Sequence, residues 1–203
     1  MFKQTSSIIK GIHYQNKIVH ECLTRLKLLN QFNLRYKIAS TYIRDGDSIL
    51  DVGGGYGGLR DYLKCNCNYT CIEASDGFIR ILKKKNYKYI DIDLHNTFPD
   101  EKEIFDIVVM IISLYQFRET SVNHLLRKFK KIGKKILIIE EVIKDSTTKK
   151  RKFQDNIMNY LSATNYYTST SLYSQDEFRS ILRSHDYDVM KYNNRYMVAN
   201  YES

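Results

Sequence analysis

The sequence is poor in the features that mark several protein classes. It holds one proline in 203 residues, which leaves no room for a proline-rich linker, and its four cysteines suit a reducing compartment better than a disulfide-stapled scaffold. The opening MFKQTSSIIKG lacks the continuous apolar stretch of a signal peptide. The longest apolar run, Ile107 to Leu114, is broken at Ser113 and is far too short to span a bilayer. No internal repeat and no shift of composition divides the chain. Cys65, Cys67 and Cys71 fall close together, but without a nearby histidine or a second pair they make a poor zinc signature. His20, His95, His124 and His185 show no metal spacing either, so no metal is expected. A single cytosolic domain with no membrane span is expected, as a monomer or homodimer.

What is present fits a globular chain: 43% hydrophobic residues, with charge spread throughout. The formal net charge of +9 gathers partly in Lys83-Lys84-Lys85, Lys128 to Lys135 and Lys149 to Lys152. Such clusters invite a nucleic-acid reading. Yet the chain is rich in Lys, Ile, Asn and Tyr together, a coding bias, and lysines commonly sit on solvated helix faces. The charge is weak evidence for RNA and better evidence for an anionic substrate or surface.

Apolar residues from Ile18 to Leu34 recur at three-or-four spacing, which predicts one or two amphipathic helices over residues 15–43. An alternation of strand and helix then begins. Strands are expected at Ser48 to Val52, Tyr69 to Glu73, Tyr89 to Ile92, Phe105 to Ser113 and Lys134 to Val142, with helices at Leu59 to Leu63, Asp76 to Lys85 and Thr120 to Lys131. Ser174 and Glu177 form the capping box of a last helix, and two alternating strands flank Asn193-Asn194, a dipeptide suited to a tight hairpin turn. The fold class is α/β, a mostly parallel sheet finished by an antiparallel hairpin with helices on both faces.

The chemistry concentrates in SILDVGGGYGG, residues 48–58, where five of the last six residues are glycine. Glycine at that density costs backbone entropy unless something must approach closely. Gly53, Gly55 and Gly58 satisfy the G-x-G-x-x-G pattern of dinucleotide sites, while Asp51 with Gly53, Gly55 and Gly57 equally satisfies D-x-G-x-G-x-G. Glu73, twenty residues after Gly53, can accept both hydroxyls of a ribose under either pattern. A second carboxylate at Asp51 would repel a pyrophosphate but would suit an ammonium or sulfonium group.

Taken with CIEAS at 71–75, DLHNTFPDEKEIFDIVV at 93–109, KKILIIEEV at 134–142 and the closing hairpin, ILDVGGGYG at 49–57 resembles the class I S-adenosylmethionine-dependent methyltransferases over essentially the whole chain. The resemblance implies a Rossmann-like seven-stranded sheet and S-adenosyl-L-methionine as cofactor, with S-adenosyl-L-homocysteine as product. It implies that Gly53, Gly55, Tyr56 and Gly57 lie against the methionine and ribose with Asp51 close by, and that Glu73 and Ala74 hold the ribose. Asp93 and Leu94 match the readers of the adenine edge, and Met110, Ile111 and Ile112 match residues beside the methyl group. Along the chain it implies an N-terminal helical lid (1–45), a cofactor-binding core (46–143), a substrate-binding insertion (144–173) and a final helix and β-hairpin (174–203).

The departures narrow the chemistry. Tyr115 and Gln116 stand where many small-molecule members carry a Glu-His pair, the Asn/Asp-Pro-Pro-Tyr/Phe motif is replaced by Met-Ile-Ile-Ser, and no Pro-Cys nucleophile occurs. His13, Tyr14 and Gln116 are the catalytic candidates, and Tyr14, Tyr115, Tyr160, Tyr166 and Tyr167 could line an acceptor pocket. The leading expectation is methyl transfer to an oxygen or nitrogen of a small molecule, such as a sugar or biosynthetic intermediate. RNA methylation is the alternative, and a non-catalytic binding partner that keeps the fold is an alternative of another class.

Overall fold

The strands around Ile107 to Met110 and Ile136 to Ile139 are apolar on both faces, and such strands are stable only when both faces are covered. The computed structural model describes residues 33–99, 103–117, 121–142 and 172–203. Its seven strands are β1 Ser48–Val52, β2 Asn68–Glu73, β3 Lys88–Asp91, β4 Phe105–Ile111, β5 Gly133–Glu141, β6 Asp188–Lys191 and β7 Tyr196–Glu202. They form one sheet in the order β3-β2-β1-β4-β5-β7-β6. All pairs are parallel except β5 with β7 and β6 with β7.

The period of two within each strand sorts side chains onto two layers. Leu50, Val52, Ile72, Val108, Met110, Ile136 and Ile138 face one side. There they meet Leu125, Leu126 and Phe129 of α4 (Val122–Ile132) and Phe178 and Leu182 of α5 (Gln175–Arg183). Ile49, Cys71, Ile107, Val109, Leu137 and Ile139 face the other side. That layer is closed by Ile38 and Ala39 of α1 (Leu34–Ser40), Leu59 of α2 (Gly58–Tyr62) and Leu82 of α3 (Asp76–Lys84). The Ser174–Glu177 capping box is present with both of its hydrogen bonds.

Two details differ from the sequence expectation. β4 stops at Ile111 because the backbone turns at Ile112, whose φ is 51°. The hairpin connection spans Tyr192 to Arg195 rather than a two-residue turn: the Asn193 side chain accepts from the amides of Arg195 and Tyr196 and so builds the reversal itself. Strand order reverses between β1 and β4, which is where open α/β sheets leave a crevice beyond the carboxyl ends of their strands.

Candidate functional site

β1 delivers the glycine turn to that crevice. Gly53, Gly55 and Gly57 adopt φ of 66°, 60° and 77°, values that L side chains rarely take. Space is also short at two of them. A Cβ on Gly53 would lie 3.0 Å from Ser113 Oγ, and one on Gly57 would lie 2.9 Å from the Tyr87 ring. Gly54 is glycine for another reason: Asp51 and Cys71 pack directly beneath it.

Amides of the turn are directed inward. Gly53 and Gly54 donate to the Ile72 carbonyl, and Gly57 donates to that of Gly54. Gly55 donates to Glu73 Oε2 at 2.9 Å, while Ala74 and Ser75 donate to Glu73 Oε1 at 2.9 and 2.8 Å. A diphosphate would thus find these four amides engaged and a carboxylate already among them. Burial pushes the Glu73 carboxyl up to about 7, against the pull of its three amide donors.

Asp51 lies below the turn, 2% exposed, and its Oδ2 accepts from Tyr69 Oη at 2.6 Å. Burial raises it to about 6, opposed by that hydrogen bond and by the charge of Arg35. Its carboxylate therefore lies inside the sheet, directly under Gly54, as the floor of the turn. The sequence pattern placed an acid here but carried no sign of its tyrosine partner, eighteen residues away on β2.

On the far side of β2, Asp93 holds a tight turn by accepting from the His95 amide and the Asn96 side chain. Leu94 packs on the core, and the His95 ring stacks on Phe117 with centroids 4.5 Å apart. Met110 is buried in β4, and Ile111 and Ile112 are half-exposed at its end. A short 3₁₀ turn, Leu114–Phe117, then carries the half-buried Tyr115 and Gln116. Tyr56 is buried, edge-on to Phe78. His13, Tyr14, Tyr160, Tyr166 and Tyr167 lie outside the described residues.

The sequence reading passed over Glu140. This carboxyl is wholly buried, and it accepts from the amides of Leu114 and Tyr115 at 2.9 and 3.3 Å and from Glu141 at 3.1 Å. Burial pushes it up to about 8 despite those three donors. It ties the end of β5 to the turn after β4. Its signal was an acid continuing the apolar run ILII, residues 136–139, where a strand needs no charge. Glu141 beside it is paired to Arg195 at 2.8 Å. Among the described residues, no group of three or more His, Cys, Asp or Glu side chains could hold a metal ion, and no helix is long and apolar enough to cross a membrane.

Residues 25–192 match the family model of the methyltransferase domain. Solved structures with the same fold include DhpI in complex with SAH (11% identity, TM-score 0.68, covering 93% of this chain and 91% of that one). A SAM-dependent methyltransferase from Aquifex aeolicus is also similar (16% identity, TM-score 0.57, covering 87% and 91%). So is the CurJ carbon methyltransferase (13% identity, TM-score 0.68, covering 94% and 59%). At these identities the likeness is one of fold. No curated protein sequence matches significantly.

Proposed function

This chain belongs to the methyltransferase-domain family, as a class I S-adenosylmethionine-dependent methyltransferase, and from that membership we propose that it methylates an oxygen or nitrogen atom of a small molecule. The observation that carries the cofactor reading is the glycine turn with the buried Glu73 carboxylate at its centre. Such a site suits two ribose hydroxyls and a cationic sulfonium, and it opposes a diphosphate. In this reading Gly53, Gly55, Tyr56 and Gly57 lie against the methionine and ribose, and Glu73 and Ala74 hold the ribose. Asp93 and Leu94 border the adenine, and Met110, Ile111 and Ile112 wall the methyl group. Asp51 acts from beneath, as the floor of the turn.

The cofactor, when bound, supplies an activated methyl group on sulfur. The chain's own part is to align the acceptor in line with that bond and to exclude water. Tyr115 and Gln116 stand on the turn after β4 and are the candidates among the described residues to orient an acceptor. A small-molecule acceptor is favoured over RNA because much of the described basic charge is already engaged. Lys83 sits over the Tyr89 ring, Lys85 is paired with Asp61, Lys130 with Asp186, Lys134 with Asp106 and Lys135 with Glu202. The full chain, lid and insertion included, is read as one domain.

Calorimetry with S-adenosylmethionine, S-adenosylhomocysteine and NAD tests this reading, with Glu73→Ala as control. Saturable binding of the first two, lost in Glu73→Ala and absent for NAD, is the expected result. Binding of NAD alone would sink it. Methyl transfer to RNA that falls steeply with salt, with none to small acceptors, would move the acceptor to nucleic acid.

A further inference from the structure

Glycine at position 57 permits the Tyr56–Gly57 peptide to stand in either of two orientations, so the glycine pattern alone does not fix the shape of the turn. A side chain from another element does. We propose that Lys85 is a positioning residue for cofactor binding, holding the glycine turn in its binding shape from the helix side. The inference rests on the reading of that turn as the S-adenosylmethionine site.

Lys85 closes α3, and its side chain runs back to the turn, where Nζ donates to the Tyr56 carbonyl at 2.9 Å. The same ammonium pairs with the Asp61 carboxylate on α2 and lies 5.2 and 5.3 Å from the ring centroids of Tyr56 and Tyr87. Tyr87 donates to the other Asp61 oxygen at 2.8 Å, and its ring fills the space that a Cβ on Gly57 would need. Asp61 in turn donates its amide to the Gly57 carbonyl at 3.1 Å. Thus the carbonyls of Tyr56 and Gly57 are both held by one three-residue cluster, drawn from the end of α3, the start of α2 and the approach to β3.

The physical consequence is preorganisation. Flipping the Tyr56–Gly57 peptide would strip a charged donor, only 21% exposed, of one of its acceptors. The free protein therefore keeps the turn in a single shape, and a ligand that needs that shape does not have to impose it. Among three successive lysines, Lys84 is exposed, Lys83 covers a ring and Lys85 alone touches the turn.

The experiment uses the full chain and S-adenosylhomocysteine as the probe. Binding constants are measured by calorimetry for wild type, Lys85→Met, Lys85→Arg and Asp61→Asn, alongside the Tm of each without ligand. Lys85→Met should weaken binding roughly tenfold or more, the effect of losing a charged hydrogen bond, while the unliganded protein stays folded with its Tm lowered by only a few degrees. Lys85→Arg, which keeps a donor and the charge, should recover most of the affinity, and Asp61→Asn should fall between. A Lys85→Met constant equal to wild type overturns the inference, as does weakening that merely follows a lowered Tm and is not recovered by arginine. Wild type that binds no S-adenosylhomocysteine overturns the cofactor reading itself, and this inference falls with it.

Discussion

Two neighbouring turns leave the carboxyl ends of β1 and β4, and they are built on opposite plans. The turn after β1 meets its positive φ angles with Gly53, Gly55 and Gly57. The turn after β4 places a β-branched residue, Ile112, at φ 51°, a position such side chains strongly resist. It is held there by its surroundings. Ile112 donates its amide to the Ile139 carbonyl at 2.8 Å, Ser113 Oγ bonds the Ile111 carbonyl at 3.1 Å, and Glu140 collects the amides of Leu114 and Tyr115. One turn is shaped by what its residues permit, the other by what its neighbours impose. Strain of the second kind gathers at functional sites, which is in keeping with the proposed acceptor side of the crevice.

The largest expected effect comes from removing the imposed support. Glu140→Ala removes the carboxylate that accepts from the amides of Leu114, Tyr115 and Glu141 and should cost about 3 kcal/mol in urea unfolding at pH 7. A cost below 1 kcal/mol would mean that the turn after β4 holds itself. The pH dependence sharpens the point. A carboxyl raised from 4.5 to about 8 binds its proton more tightly in the folded state, so stability is full below about pH 4.5 and declines as pH rises to 8. Asp51 and Glu73 slope the same way but finish near 6 and 7. The decline between pH 7 and 8 should therefore vanish in Glu140→Gln while the decline below 7 persists.

Next in size is a test of the permissive turn. Gly54→Ala drives a methyl group into the Asp51 carboxylate and the Cys71 thiol, groups wholly enclosed in the sheet, and should cost about 2 kcal/mol by overpacking. Gly55→Ala meets only Phe78 at 3.7 Å and pays the left-handed backbone alone, about 1 kcal/mol. Equal losses in the two variants would mean that backbone freedom, and not the packed floor, decides this turn. Cofactor affinity offers a third handle. If ribose hydroxyls donate to ionised Glu73, the dissociation constant should rise up to tenfold for each pH unit below about 7, and calorimetry of Glu73→Gln should show no such slope.

The contrast also explains what could be read in advance. The seven strands, their order of appearance and the closing hairpin were legible because a parallel sheet demands long apolar runs, and the glycine turn was legible because glycine announces positive φ. Glu140 and Lys85 were not. Glu140 takes its meaning from Leu114, twenty-six residues earlier, and Lys85 from Tyr56, twenty-nine earlier, and neither separation leaves a pattern within any local window. Lys85 stood in a lysine triplet that composition alone would assign to solvent. Asp51 was legible as an acid of the motif, but its burial under Gly54 depends on Tyr69 and could not be seen.

The smallest expected effect is the most discriminating. Ile112→Gly deletes a half-exposed side chain and adds backbone freedom to the unfolded chain, and at an ordinary strand end both would destabilise. Here the substitution also removes the left-handed strain of a β-branched residue, about 1–2 kcal/mol in the opposite direction. The opposing contributions should leave the folding free energy within about 1 kcal/mol of wild type, while the Ile112 equivalent gains mobility visible in amide exchange. Stability that drops by much more would show that the isoleucine side chain is itself a support of the turn. Near-neutral stability with weakened acceptor turnover would show the reverse: the strain is held by Glu140 and its amides, and the isoleucine is there for what it presents to the crevice.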